Sequence, residues 1–269
     1  MSFTTFRRDN LELNAWDDGG DATPIVFQHG LCGAESQVAE VLPPDPAYRR
    51  LTLECRGHGR SPAGPLDRLA IATFTDDLAA LIEQRVGHPV VLGGISMGSA
   101  IASRLAVTRP DLVRALILAR PAWVTAPAPA NMAPNALVGR LLADHDPAEA
   151  RRLFAASDTA RDLAASAPDN LASLQGFFDR QPHDVTAALL TRISADGPGI
   201  TEADLQALAI PTLVIGHRQD SIHPLAHVER LAGLIGPARL VEITPKTVDR
   251  NAYLGEFRAA VLEFLKNHR

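Results

Sequence analysis

Apolar and polar positions follow two periods along the chain, one typical of strands and the other of helices. The stretch 11–17 alternates apolar and polar residues, which predicts a strand with one buried face. Continuous apolar runs at 24–30 and 90–95 are typical of strands that a parallel sheet buries on both faces. The stretch 73–87 instead repeats its apolar residues at helical spacing. The pattern therefore predicts an α/β protein with a mostly parallel sheet flanked by helices.

Strand and helix patterns alternate over most of the chain. The predicted strands are 3–8, 11–17, 24–30, 50–55, 90–95, 113–119, 210–216 and 239–243. The predicted helices are 73–87, 97–108, 224–235 and 251–267. Thr73 and Asp76 have the spacing of a capping box, so we expect the first of these helices to begin at Thr73.

The alternation stops between residues 120 and 200. Four prolines lie in the first part of this segment, and several short helical patterns follow them. We interpret 120–200 as a helical cap inserted into a core that residues 1–119 and 201–269 form together. We expect the cap to cover the pocket and to govern the choice of substrate.

Composition and charge narrow the class of protein. The chain has 269 residues, of which 46% are hydrophobic and 21% charged, so it can bury a substantial core. A net charge of −5 without a basic block argues against nucleic acid or an anionic membrane as the main partner. No apolar stretch approaches the roughly 20 residues of a membrane span, and no signal peptide is evident, so we expect a cytoplasmic protein. The expected partner is a small-molecule substrate; oligomeric state cannot be predicted.

Two cysteines, Cys32 and Cys55, each follow a predicted strand. In a reducing compartment this spacing implies neither a disulfide nor a metal cluster. We therefore expect no metal and no cofactor.

The sequence Gly94-Ile95-Ser96-Met97-Gly98 follows the apolar run 90–95 and continues into a predicted helix. Glycines at both ends of this G-x-S-x-G pattern allow a sharp turn that exposes the serine hydroxyl. The amide of Met97 would then point to where an oxyanion forms. Taken alone, the pattern is equally compatible with a tight glycine turn of no chemical role.

Two further glycine-rich turns follow predicted strands. His29-Gly30-Leu31 ends the run 24–30, and its glycine would bring the amide of Leu31 close to a site; the alternative is a plain turn with a structural histidine. The loop 56–61 has the glycines of a phosphate-binding loop. It lacks the Lys-Ser or Lys-Thr pair and the following helix that a P-loop needs.

These motifs, in this order, resemble those of the α/β-hydrolase family. The His-Gly turn, the loop 56–61, the serine turn and a late strand that ends before Asp220 carry the resemblance, which covers the chain outside the cap. The family carries its nucleophile, acid and base in the order Ser, Asp, His. The resemblance implies that Ser96 is the nucleophile and Asp220 the acid, with Leu31 and Met97 supplying the oxyanion-binding amides. Alternatively, Asp220 is a surface residue that caps the next helix.

The chain departs from the family where the catalytic histidine is expected. The loop after the last predicted strand, 244–253, contains no histidine. Lys246 lies in this loop, but ionised Asp220 nearby would stabilise its protonated form and make it a poor base. His223 lies three residues beyond Asp220 and is a second candidate, although a structural histidine at the start of a helix is the commoner explanation.

The remaining histidines on motif loops, His29, His58 and His217, are expected to support turns and not to face Ser96. Losing the base of a serine triad lowers turnover by about a million-fold, so its identity decides the function. Two functions remain open. The first is a hydrolase that acts on an ester or related acyl bond, with an atypical or incomplete triad. The second is a ligand-binding or non-hydrolytic protein that has kept the pocket and lost the histidine.

Overall fold

The structure is a computed structural model that describes residues 2–268. Within these residues eight strands form a single sheet. The strands are β1 (Ser2–Arg8), β2 (Leu11–Asp17), β3 (Pro24–Gln28), β4 (Arg49–Leu53), β5 (Val90–Ile95), β6 (Val113–Ala119), β7 (Thr212–Gly216) and β8 (Ala238–Glu242).

Eleven α-helices surround the sheet in the same range of residues. They are α1 (Glu35–Val41), α2 (Ile71–Arg85), α3 (Met97–Thr108), α4 (Ala133–Asp144), α5 (Pro147–Ala155), α6 (Asp158–Ser166), α7 (Pro168–Gly176), α8 (His183–Ala195), α9 (Glu202–Gln206), α10 (Leu225–Leu234) and α11 (Arg250–Asn267).

The strands lie in the order β1-β2-β4-β3-β5-β6-β7-β8. β1 pairs with β2, and β2 with β4, in antiparallel register, whereas all the other neighbouring strands are parallel. β5 is therefore central, and the carboxyl ends of β3, β5, β6 and β7 meet at one edge of the sheet, where α/β proteins place their sites. The predicted α/β class, with a mostly parallel sheet between helices, is confirmed.

The central strand shows why the apolar runs were continuous. Val90 and Leu92 belong to the hydrophobic cluster that packs on α2 and α3, while Val91 belongs to the cluster on α1 and α11. Successive residues of a strand face opposite sides of the sheet, so helices on both sides require apolar residues at every position.

Helices α4 to α8 all lie between β6 and β7, in the segment that was predicted as an inserted cap. α4 packs closely on α8 at Gly139, where an added Cβ would lie 2.8 Å from the Cβ of Leu190. A glycine at this position therefore allows the two helices to approach.

The predicted capping box at Thr73 is wrong. α2 begins two residues earlier, at Ile71, and its preceding residue Ala70 makes no side-chain cap. The amide of Ile71 instead donates to Asp196 Oδ2 at 2.8 Å, so a residue just after α8 caps the helix. Helix α1 was not predicted at all. The start of α2 differs from the prediction because this tertiary contact outweighs the local pattern.

Candidate active site

Ser96 lies on a strained turn between β5 and α3. Its backbone angles, φ of 57° and ψ of −113°, fall in a region that residues other than glycine rarely adopt. The turn requires glycine on both sides, because a Cβ on Gly94 would lie 2.2 Å from the carbonyl carbon of Gly98, and one on Gly98 would lie 2.5 Å from the carbonyl oxygen of Gln28. The local sequence thus forces the serine to the end of the strand.

Hydrogen bonds to β6 hold this turn in place. The amide of Ser96 donates to the carbonyl oxygen of Ala119 at 3.0 Å. The hydroxyl of Ser99 bridges the carbonyl oxygens of Gly94 and Ala119 at 2.7 and 2.9 Å. The Ser96 side chain is therefore presented from a rigid support, as a nucleophile requires.

The loop after β7 brings Asp220 and His223 to Ser96. His223 Nε2 lies 2.8 Å from the Ser96 hydroxyl oxygen, and His223 Nδ1 lies 2.9 Å from each carboxylate oxygen of Asp220. The backbone amide of His223 also donates to Asp220 Oδ1 at 3.0 Å. All three residues are buried. Serine, imidazole and carboxylate thus form a continuous chain of hydrogen bonds with the arrangement of a catalytic triad.

The position of His223 differs from the commoner interpretation of its sequence, which is a structural histidine at the start of a helix. A structural histidine that merely opens helix α10 would have no contact with the serine, yet the imidazole bridges Ser96 and Asp220. The alternative of a surface Asp220 that caps the next helix is wrong, because Asp220 is buried and α10 begins after Pro224 without a side-chain cap; the carboxylate instead accepts from the amide of His223 and contacts its imidazole.

Two residues that the sequence did not indicate hold the Asp220 carboxylate. Arg120, directly after β6, donates from Nε to Asp220 Oδ2 at 2.9 Å, and its Nη2 lies 2.7 Å from the same oxygen. Asn170 of α7 donates from Nδ2 to Asp220 Oδ1 at 2.9 Å. Arg120 could have been found from its place at the carboxyl end of a strand beside β5. Nothing in the sequence marks Asn170.

Burial and neighbouring charges set the ionisation of the pair. Burial lowers the pKa of His223, the charge of Asp220 raises it, the charge of Arg120 lowers it further, and the net pKa is below the ordinary 6.5. Burial would raise the pKa of Asp220, but the charges of His223 and Arg120 outweigh it and hold the pKa well below 3.8. At neutral pH the pair therefore consists of a neutral imidazole and a carboxylate.

The two residues whose amides the sequence suggested for an oxyanion site are Met97, which directly follows Ser96, and Leu31, which follows a residue close to it. Met97 is the first residue of α3, so its amide has no acceptor within the helix. Leu31 follows Gly30, whose backbone approaches the serine so closely that an added Cβ would lie 3.3 Å from the Ser96 Cβ. The role of these amides stays a prediction.

A polar cavity of about 370 Å³ lies next to this group of residues. Its wall includes Ile95, Arg120, Asp169, Ser173, Lys246 and Tyr253. Ile95 directly precedes the serine, Arg120 contacts the acid, and Asp169 and Ser173 belong to α7. The helical segment between β6 and β7 therefore contributes to the surroundings of the site.

The loop after β8 does not provide a bridging group. Lys246 Nζ lies 3.4 Å from a carboxylate oxygen of Glu40, and the exposed Thr247 hydroxyl lies 3.4 Å from the side-chain oxygen of Gln219. Val248 is 64% exposed. The family pattern would place the bridging group between Lys246 and Val248, but the imidazole of His223 occupies the position between Ser96 and Asp220.

The other histidines on motif loops support the surrounding structure. His29 Nε2 accepts a hydrogen bond from the amide of Cys55, and its ring lies 4.8 Å from that of His58. Burial lowers the pKa of His29 to about 4 and that of His58 well below 6.5. His217 Nε2 lies 3.6 Å from Asp220 Oδ2, so this imidazole faces the acid and not the serine.

Two further observations concern the described residues as a whole. Between residues 2 and 268, no group of three or more histidine, cysteine, aspartate or glutamate side chains is placed to hold a metal ion. In the same range, no helix has both the length and the apolar character needed to cross a membrane.

Comparison with known proteins gives relatives in sequence. The zebrafish sn-1-specific diacylglycerol lipase ABHD11 is 38% identical over 112 residues, which are 40% of this chain and 35% of the relative. The putative carbamate hydrolase RutD of Pseudomonas syringae pv. syringae is 29% identical over 229 residues, covering 82% of this chain and 85% of the relative. The match thus spans about a third of the length of the lipase and most of the length of RutD.

Solved structures agree with the fold over nearly the whole chain. The enol-lactonase from Burkholderia xenovorans LB400 matches with a TM-score of 0.74 at 24% identity, over 98% of this chain and 100% of the other. MGS-M2, an alpha/beta hydrolase enzyme from a Medee basin deep-sea metagenome library, matches with a TM-score of 0.77 at 18% identity. This match covers 98% of this chain and 97% of the other. A model of the alpha/beta hydrolase fold family matches residues 23–246. The chain therefore belongs to the α/β-hydrolase family.

Proposed function

We propose that this chain is a serine hydrolase that cleaves an ester or related acyl bond of a small molecule. Ser96 is the nucleophile, His223 the general base and Asp220 the acid that orients the imidazole. The observation that carries the proposal is the 2.8 Å separation between the Ser96 hydroxyl oxygen and His223 Nε2, with Nδ1 of the same ring on Asp220. A protein that only binds a ligand has no need of this hydrogen bond.

The reaction follows from these contacts. His223 Nε2 accepts the Ser96 hydroxyl proton as the serine oxygen attacks the substrate carbonyl carbon, and the amides of Leu31 and Met97 donate to the resulting oxyanion. The imidazolium, stabilised by Asp220, then protonates the leaving group, which departs and leaves an acyl-serine. A water molecule, deprotonated by the same imidazole, attacks the acyl carbon; the imidazolium then returns this proton to the departing Ser96 oxygen, which releases the carboxylic acid product and free Ser96.

The lowered pKa of His223 suits this role. A base must be unprotonated to accept the serine proton, and an imidazole with a pKa below 6.5 is neutral at pH 7. The charges of His223 and Arg120 keep the pKa of Asp220 low, so its carboxylate stays ionised. The imidazolium that forms during the reaction therefore has a charged partner.

The helical segment between β6 and β7 is proposed to govern substrate choice. Asp169 and Ser173 of α7 line the polar cavity together with Ile95 and Arg120. Ser96, Asp220 and His223 are not among the residues that line this cavity, so the proposal is that a substrate bound at Ser96 extends into it and meets the polar side chains of α7.

Treatment with a fluorophosphonate, followed by mass spectrometry, tests the proposal. We expect a single adduct on Ser96, because an activated serine attacks phosphorus as it attacks a carbonyl. Ser96→Ala is the matched control and should remain unmodified. An unmodified wild-type protein at a probe concentration that labels a known serine hydrolase would overturn the assignment and favour the ligand-binding function.

A further inference from the structure

The acid and the base of this site lie on one short loop, three residues apart. His223 Nδ1 is 2.9 Å from both oxygens of Asp220, so the imidazole by itself does not fix the rotation of the carboxylate. Within the loop, the backbone amide of His223 donates to Asp220 Oδ1 at 3.0 Å, and further partners of the carboxylate come from outside the loop.

Asn170 engages this loop with both ends of its side-chain amide. Its Nδ2 donates to Asp220 Oδ1 at 2.9 Å, which directs one carboxylate oxygen. Its Oδ1 accepts hydrogen bonds from the backbone amides of Ser221 at 2.7 Å and Ile222 at 3.3 Å. These two amides belong to the residues between acid and base, so one side chain fixes both the carboxylate and the spacing to the imidazole.

Arg120 is complementary to Asn170. It contacts Asp220 Oδ2, whereas Asn170 contacts Oδ1, so the carboxylate is held on both sides. Of these two residues, Asn170 also binds the backbone of the loop, where Asn131 in addition donates from Nδ2 to the carbonyl oxygen of Ile222 at 2.7 Å. Asn170 is buried and belongs to α7, in the helical segment between β6 and β7. A polar side chain is buried at little cost only where its hydrogen bonds are satisfied, and here the loop supplies the partners.

We propose that Asn170 is a positioning residue that holds Asp220 and His223 in line with Ser96, so that the helical segment is required for the chemistry and not only for enclosing substrate. This inference rests on the proposed serine hydrolase function. It goes beyond that function because it assigns to the helical segment the task of assembling the triad. Detaching α7 from the loop would remove one hydrogen bond from the carboxylate and both hydrogen bonds of Asn170 to the amides of Ser221 and Ile222 together.

Asn170→Ala tests the proposal through turnover. A misplacement of about 1 Å costs on the order of 10²-fold in rate, so we expect kcat on an activated ester to fall by about that factor while KM changes little. The rate of fluorophosphonate labelling of Ser96 should fall in parallel, because the probe needs the activated serine. Asn135→Ala is the matched control, since Asn135 is a buried asparagine of α4 without a bond to the loop. It should leave both rates unchanged.

A second measurement does not depend on turnover. The proton on His223 Nδ1, hydrogen-bonded to Asp220, should give a low-field proton resonance in the wild type and in Asn135→Ala, identified by its absence in His223→Ala. We expect Asn170→Ala to broaden or abolish it. A folded Asn170→Ala protein that keeps this resonance, or keeps the wild-type kcat, would overturn the proposal. A wild type that shows the resonance but is not labelled by the probe would contradict the hydrolase function and leave the positioning role intact.

Discussion

The loops after β7 and after β8 lie at the same edge of the sheet, yet among the described residues the first places an imidazole against Ser96 and the second does not. Residues 217–224 carry both Asp220 and His223, and the imidazole contacts Ser96. Residues 243–249 carry Lys246, which is paired with Glu40 and makes no contact with the serine. The family pattern predicts the base in the second loop, and the geometry places an imidazole from the first.

The chain order Ser96, Asp220, His223 is that of the family, so the difference lies in the loop that carries the histidine and in its spacing of three residues from the aspartate. An imidazole three residues after the acid reaches the same hydroxyl because the turn capped by Asp220 directs His223 back over the end of β5. The cost is a loop that must hold two functional groups at once. Arg120 and Asn170, which lie outside this loop, both bind the Asp220 carboxylate.

The largest effect among variants of the supporting groups is expected for Asp220→Asn. The neutral side-chain amide that replaces the carboxylate cannot stabilise the imidazolium or hold the required tautomer of His223, so kcat should fall by about 10⁴-fold. Steady-state hydrolysis of an activated ester measures this, with circular dichroism to confirm that the variant is folded. A variant that is folded and within tenfold of wild type would show that Asp220 only caps its turn.

A smaller effect, on the free energy of unfolding, is expected from His29, a buried histidine that does not contact Ser96. The pKa of His29 is lowered to about 4, below its value of about 6.5 in an unfolded chain. Its contribution to stability is therefore complete above pH 6.5 and is lost as the pH falls toward 4, amounting to about 2 kcal/mol between pH 7 and pH 5.

Urea unfolding of wild type and His29→Gln at both pH values checks this prediction. Glutamine does not titrate, so the free energy of unfolding of the variant should fall by about 2 kcal/mol less than that of wild type between pH 7 and pH 5. Equal losses in the two proteins would show that the buried imidazole does not resist protonation.

The smallest effect is expected for a histidine placed where the family pattern would have it. Thr247 is exposed and contacts Gln219, and Asp220 is already occupied by His223, Arg120 and Asn170. Thr247→His should therefore change kcat on an activated ester by no more than about twofold, as for an ordinary surface substitution. A gain of tenfold or more would mean that the loop after β8 still supports a base and that His223 serves poorly.

Features that depend on short stretches of sequence could be predicted. The bounds of β2, β6 and α3 agree with the predicted ranges, because alternation, apolar runs and the serine turn are local signals. Ser96 was indicated by the two glycines that its turn needs.

Features that depend on contacts between distant elements could not be predicted. The start of α2 is capped by Asp196 from after α8, and the direction of His223 depends on how its turn packs against β5. Asn170 lies in a helix whose sequence carries no sign of its partners. Each of these contacts joins residues more than 45 positions apart, with a geometry that the folded sheet sets.

The central claim is that the loop after β7, and not the loop after β8, supplies the base. Hydrolysis of one activated ester by wild type, His223→Ala and Lys246→Ala tests it most directly, with Ser96→Ala as the background. We expect His223→Ala to lower kcat by about 10⁶-fold, to the level of Ser96→Ala, because the two residues act as a unit. Lys246→Ala should remain within about twofold of wild type. Activity that survives in His223→Ala and is lost in Lys246→Ala would contradict the claim.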